Sequence, residues 1–200
     1  MTSVYEPERV DIPSATHDPD SYVRALLEVA GEREPSTVLG TTPARARLLF
    51  QDLPDRLLDV SPAPGEWSAA SIVGHLHDVD IVYGFRWRLV LTEDNPDYPG
   101  YDEKSWAALP RLPFWQLFNA WEGLRAANVA LLRALPADAW QRTGGHGEQG
   151  TETLRTMIMK VVGHDIAHLI QLYRTVRAAR LADGRAVTAL DDAYRLRVRD

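Results

Sequence analysis

The 200-residue sequence contains no cysteine, which excludes disulfides, thiolate zinc sites, iron–sulfur clusters and a cysteine nucleophile together. Any metal must be held by nitrogen and oxygen. Long apolar runs are missing too, since no window approaches the roughly 18 apolar residues of a membrane span. The first residues carry Glu6, Glu8 and Asp11 and lack the apolar stretch of a secretory signal. A cytoplasmic protein without a membrane partner is the expectation. Clustered positive charge is equally scarce. The formal net charge is −6 and the basic residues are scattered, which argues against nucleic acid as a partner. Arg195, Arg197 and Arg199 form a short, interrupted group that reads as a solvated tail.

An apolar content of 45% suffices for one core without staples. Four segments show helical periodicity and none alternates as a strand does, so the fold class predicted is all-α. The first segment opens weakly over Tyr22 to Ala30, is interrupted at Pro35 and Gly40, and firms from about Thr42 to Leu53. Thr42 is positioned to cap it, with Pro43 in the first turn. The second starts at Ser68, an N-cap, with Trp67 and Ile72 at staple spacing, and runs to about Thr92. A long connection from Glu93 to Pro110 follows, and connections of that length are commonly lids or binding loops. Asp102 and Glu103 are its candidates for closing a mouth. The third helix spans about Pro113 to Leu135. A glycine-rich loop (Gly144, Gly145, Gly147, Gly150), lacking a phosphate-loop ending, leads to the fourth, Thr151 to about Ala182. Beyond Gly184 a short helix or frayed tail is expected. The organisation predicted is an extension over 1–41, a bundle over 42–183 and a tail over 184–200.

Six histidines occur, at 17, 75, 77, 146, 164 and 168. His164 and His168 lie four apart, one turn above each other on one helix face, the spacing that lets two imidazoles reach one ion. At about 100° per residue from Leu154, His168 falls at roughly 320°, inside the apolar arc, and His164 at roughly 280°, on its edge. Gln171 continues that stripe and is expected to line the pocket. Asp165 falls near 20° in mid-arc, where an unpaired carboxylate is costly. Two partners are open for it: a Trp or Tyr on a facing helix, or a ligand imidazole that it orients. On the second helix His75 points inward, while His77 points outward with Asp80 on the polar side. Arg86 also points inward, roughly 16 Å along the axis from His75, and suits a buried ion pair or a substrate anion. Three inward histidines from two helices leave a coordination position free, the pattern of a catalytic rather than a structural site. Zinc, nickel and iron all suit such ligands.

The stretches Pro62 to Ser68 (PAPGEWS), Val73 to Leu76 (VGHL), Ala139 to Arg142 (AWQR) and Gly163 to Leu172 (GHDIAHLIQL) resemble, in this order, the DinB/YfiT-like metalloenzyme family. The resemblance covers about Thr42 to Val176. It implies an up-down-down-up four-helix bundle, commonly a homodimer, holding one divalent metal ion on His75, His164 and His168. Its relatives include S-transferases using low-molecular-weight thiols, a mycothiol-dependent isomerase and proteins regarded as hydrolases. A metal-dependent transferase or hydrolase acting on a small-molecule substrate is therefore expected. The alternatives are a non-catalytic metal-binding or stress-response protein that works through its dimer surface, and a bundle whose histidines are only packed.

Overall fold

The computed structural model describes residues 10, 12–13, 17–147 and 150–195. Its helices are α1 (Pro19–Ala30), α2 (Pro35–Leu49), α3 (Ala69–Thr92), α4 (Glu103–Ala107), α5 (Phe114–Arg133), α6 (Leu154–Ala182) and α7 (Thr188–Ala193). The long helices α2, α6, α3 and α5 pack in that cyclic order as a four-helix bundle, with α1 laid along α6. Close approach there depends on Gly163, because a Cβ at that position would run into the backbone of Leu26. Ser68 caps α3 by accepting from the Ser71 amide at 3.2 Å, and Thr153 caps α6 by accepting from Thr156 at 3.1 Å.

Two sequence expectations need correction. First, α2 begins at Pro35, not Thr42. Glu34 caps it through the amides of Ser36 and Thr37, and Pro43 lies inside the helix. A proline there leaves the Leu39 carbonyl, four residues back, without its amide donor. Arg125 Nη1 supplies the missing hydrogen bond at 3.2 Å. Second, strands are present: β1 (Asp97–Tyr98), β2 (Thr143–His146) and β3 (Gly150–Thr153). β1 pairs parallel to β2 and β2 antiparallel to β3, so the glycine-rich segment is a hairpin. Gly144 is required because a Cβ would meet Val90 Cγ2 at 2.7 Å. The connection after α3 reaches the histidines through Glu103 and is tied to α3 at its end. Arg111 donates to both Asp78 oxygens, at 2.9 and 2.5 Å, and to the Gly74 and Trp106 carbonyls. Within it Asp102 caps α4 through Ser105, so it serves the helix rather than the mouth.

The core divides in two. One apolar cluster contains Phe50, Leu57, Ile72, Leu76, Phe118, Trp121, Leu169 and Leu172. The other contains Val79, Trp87, Val90, Val129, Leu154, Ile158 and Val162. Along α3, α5 and α6 the change from one cluster to the other falls at Leu76 to Val79, Trp121 to Val129 and Val162 to Leu169. The buried polar residues Asp80, Arg125, Asn128 and Asp165 sit at this junction, a polar stratum across the bundle. Arg195 is described at the chain's end, whereas Glu6, Glu8, Asp11, Arg197 and Arg199 lie outside the described residues. Among the described residues no helix is long and apolar enough to cross a membrane.

Candidate metal centre

His75 from α3 and His164 and His168 from α6 converge at this stratum, with one ligating atom of each lying within 4.8 Å of the others. The His164 Nε2 stands 2.9 Å from His75 Nε2 and 3.0 Å from His168 Nε2. Each neutral imidazole carries a single N–H. The His168 Nδ1 faces the Gln171 Oε1 at 2.7 Å and donates to it, which turns the Nε2 lone pair inward. The His164 Nδ1 is buried without a hydrogen-bond partner. One hydrogen on the His164 Nε2 cannot serve two neighbours, so no choice of neutral tautomers satisfies all three inward nitrogens. A cation accepting three lone pairs does. Metal–nitrogen bonds of about 2.0–2.1 Å in tetrahedral array place ligand atoms roughly 3.3 Å apart, close to the spacings found. The residues fit a divalent ion.

Trp67, just before the α3 cap, walls the site. Its ring lies nearly parallel to His168, at 9° and 6.3 Å, and 5.0 Å from His75. Glu103 of α4 places Oε1 3.9 Å from His75 Nδ1 with about half its side chain exposed. Partial burial pushes its carboxyl above the usual range. A cavity of about 590 Å³ opens beside His168 and Gln171, with Trp67 and Glu103 in its lining.

What holds the three rings together lies one layer deeper. Arg125 of α5 donates through Nε to both Asp80 oxygens, at 2.9 and 2.7 Å, and through Nη1 and Nη2 to Asp165. Trp121 and Asn128 add donors to Asp80 at 2.8 and 3.1 Å. Asp80 follows His75 by five residues on α3, and Asp165 follows His164 directly on α6. A single guanidinium therefore sets the axial position and rotation of both ligand-bearing helices. Burial works against its charge, but the two carboxylates outweigh that and hold it firmly protonated.

The expectations meet this geometry unevenly. His75, His164, His168 and Gln171 are together. Asp165 pairs with an arginine, neither with a Trp or Tyr nor with an imidazole. Asp80 is buried rather than on a polar face. Among the described residues Arg86 makes no ion pair with a carboxylate: it donates to the Pro99 carbonyl at 2.5 Å and lies over the Tyr83 and Tyr98 rings. His77 is half-buried beside Asp78, away from the three. The clamp arginine had no expectation attached. Its signal was available, because Phe118, Trp121, Arg125, Asn128 and Leu132 repeat at three-four spacing along one buried stripe of α5.

Burial pushes the His75 imidazole down to about 2, with His168 adding to the effect. Burial likewise holds His164 far below its ordinary range and lowers His168, which Gln171 partly offsets. All three are neutral at pH 7 and ready to ligate. When folded-state values lie below the unfolded ones, the unfolded chain binds more protons, so stability is full above about pH 6.5 and declines as pH falls. For the metal-free protein, the unfolding free energy measured in urea should fall between pH 7 and 5, with a slope that approaches roughly 1.4 kcal/mol per pH unit for each histidine held neutral as the pH drops well below 6.5. A flat profile over that window would mean that the rings protonate freely in the fold.

Residues 39–172 match the family model of the DinB superfamily, a span that includes all three histidines. A protein of Oceanobacillus iheyensis, provisionally named a metal-dependent hydrolase, is 32% identical over 123 residues, 60% of this chain and 72% of its own. A Bacillus cereus protein with the same provisional name is 32% identical over 121 residues, 60% of this chain and 70% of its own. Among solved structures, YfiT from Bacillus subtilis, provisionally described as a metal-dependent hydrolase with an unusual four-helix bundle topology, superposes with a TM-score of 0.65. The superposition covers 91% of this chain and 95% of that one at 24% identity, a likeness of fold.

Proposed function

The chain belongs to the DinB superfamily, and from that premise we propose that it is a hydrolase dependent on one divalent ion held by His75, His164 and His168. The observation that carries the reading is the convergence of three inward Nε2 atoms that no arrangement of neutral imidazole protons satisfies. The metal-dependent hydrolase names of its relatives support it. Three imidazoles suit zinc, nickel or ferrous iron. When bound, the ion supplies Lewis acidity and lowers the pKa of a nucleophile in the position the protein leaves open.

The chain's own residues do the rest. Gln171 fixes the His168 ring, Trp67 shields the ligands from bulk water, and Glu103, poised by partial burial, takes the proton that the nucleophile releases. A low-molecular-weight thiol could fill the nucleophile's role in place of water, giving an S-transferase, and without cysteine in the chain that thiol would be a diffusible cosubstrate.

The test is an ester and amide panel, with and without thiols, run on protein loaded with each metal and on protein stripped by chelation. Turnover should vanish on stripping and return on reloading, and Glu103→Gln should lower kcat by about 100-fold. Turnover indifferent to chelation contradicts the reading, and thiol conjugates formed without any hydrolysis replace it with the transferase.

A further inference from the structure

The cavity beside His168 runs along the outer side of α6 as far as Leu181, with Pro62, Gly65, Glu66 and Trp67 opposite. Three side chains on the α6 wall, Gln171, Arg174 and Thr175, offer hydrogen-bond donors. Gln171 uses its carbonyl oxygen on His168, which leaves its amide N–H groups for the cavity. Arg174 is half-buried and among the described residues nothing pairs with its guanidinium, whereas its neighbour Arg177 is engaged by Asp191 at 3.1 Å. Thr175 is only 3% exposed. Thr41, Thr42 and Thr92 return their hydroxyls to a backbone carbonyl of their own helix, at 2.8, 2.9 and 2.8 Å. Thr175 makes no such bond, and its hydroxyl is left to the cavity that the residue lines.

The Thr175 hydroxyl and the Arg174 guanidinium, without partners among the described residues, both remain available to a ligand group in the cavity that the two residues line. The acidic groups in the lining stand elsewhere: Glu103 at the histidine end, Glu66 exposed on the opposite wall. We propose that Gln171, Arg174 and Thr175 form an anion subsite that binds a carboxylate or phosphate group of the substrate while its reacting group lies at the three histidines. Arg174 follows His168 by six residues, about 9 Å along the helix. The substrate is therefore elongated, with an oxyanion several bonds from its reacting group. This assignment rests on the metal-centre reading given above and adds the substrate class.

The experiment uses zinc-loaded full-length protein and unbranched dicarboxylates from succinate to azelate, each compared with its own monomethyl ester, which keeps the length and one carboxylate but removes the second charge. Affinities are followed by calorimetry, with intrinsic tryptophan fluorescence as a second readout. At the best-fitting length the diacid should bind about tenfold tighter than the monoester, the gain expected of one charge-assisted contact in a partly solvated wall. Arg174→Gln should bring that ratio close to one, and Thr175→Val should reduce it, with zinc content as the control for intact folding. A ratio near one at every length, or one unchanged in both variants, overturns the subsite. Binding of the monoesters that is the same in stripped and zinc-loaded protein while the diacid ratio persists overturns the metal reading and leaves the subsite standing.

Discussion

Replacing Arg125 with methionine is expected to lower the stability of the fold by about 3–5 kcal/mol, enough to unfold a domain of ordinary stability under mild conditions. The side chain is 1% exposed and carries the only positive charge in direct contact with Asp80 and Asp165 among the described residues. Its removal leaves two carboxylates in the core and takes the donor from the Leu39 carbonyl that Pro43 had already stripped of its amide partner. The loss is of compensation more than of attraction, which yields a second expectation. The triple variant Arg125→Met, Asp80→Asn, Asp165→Asn should be more stable than Arg125→Met alone, because no uncompensated charge remains. Urea unfolding followed by circular dichroism measures both. A single variant within about 1 kcal/mol of the parent would show that the clamp is not what locks α3, α5 and α6 together.

His164→Leu is expected to abolish tight metal binding while leaving the metal-free fold intact. His164 is the ring that faces both of the others, so its loss should weaken binding beyond the 10–100-fold typical of disturbing a neighbour that only orients a ligand. Leucine nearly conserves the volume and removes a buried Nδ1 that has no partner. The two effects separate in one experiment. At free zinc a thousandfold above its dissociation constant, the parent should gain about 4 kcal/mol of stability over its chelated form, and the variant should gain close to none. Equal gains in both proteins would place the zinc elsewhere.

The three histidines were legible because their placement depends on one regular property, the 3.6-residue period, and because His75, His164 and His168 each sit well inside long uninterrupted helices. The cap at Ser68 is likewise local. What escaped depends on contacts distant in sequence. A wheel with a single apolar arc put Asp80 on a polar face, but α3 packs against both α5 and α6, so both flanks are covered. An arginine in an amphipathic helix ordinarily reads as surface, and Arg125 is inside only because carboxylates 45 and 40 residues away meet it. Pro43 reads as a helix start when the Arg125 donor that makes it tolerable inside α2 is out of view. β1 is two residues long, and it exists because Asp97 and Tyr98 pair with Gly145 and His146, a register that no alternation within the strand could announce.

The clamp, the neutral rings and the crowded nitrogens all lead to one claim, that an ion sits among His75, His164 and His168. Crystals of protein purified without a histidine tag, measured on both sides of the absorption edge of the metal found by elemental analysis, address it directly. The expected result is one anomalous peak about 2.0–2.2 Å from the Nε2 of all three residues. A metal-free map there in zinc-soaked crystals, or a peak bound by fewer than three of these histidines, would contradict it.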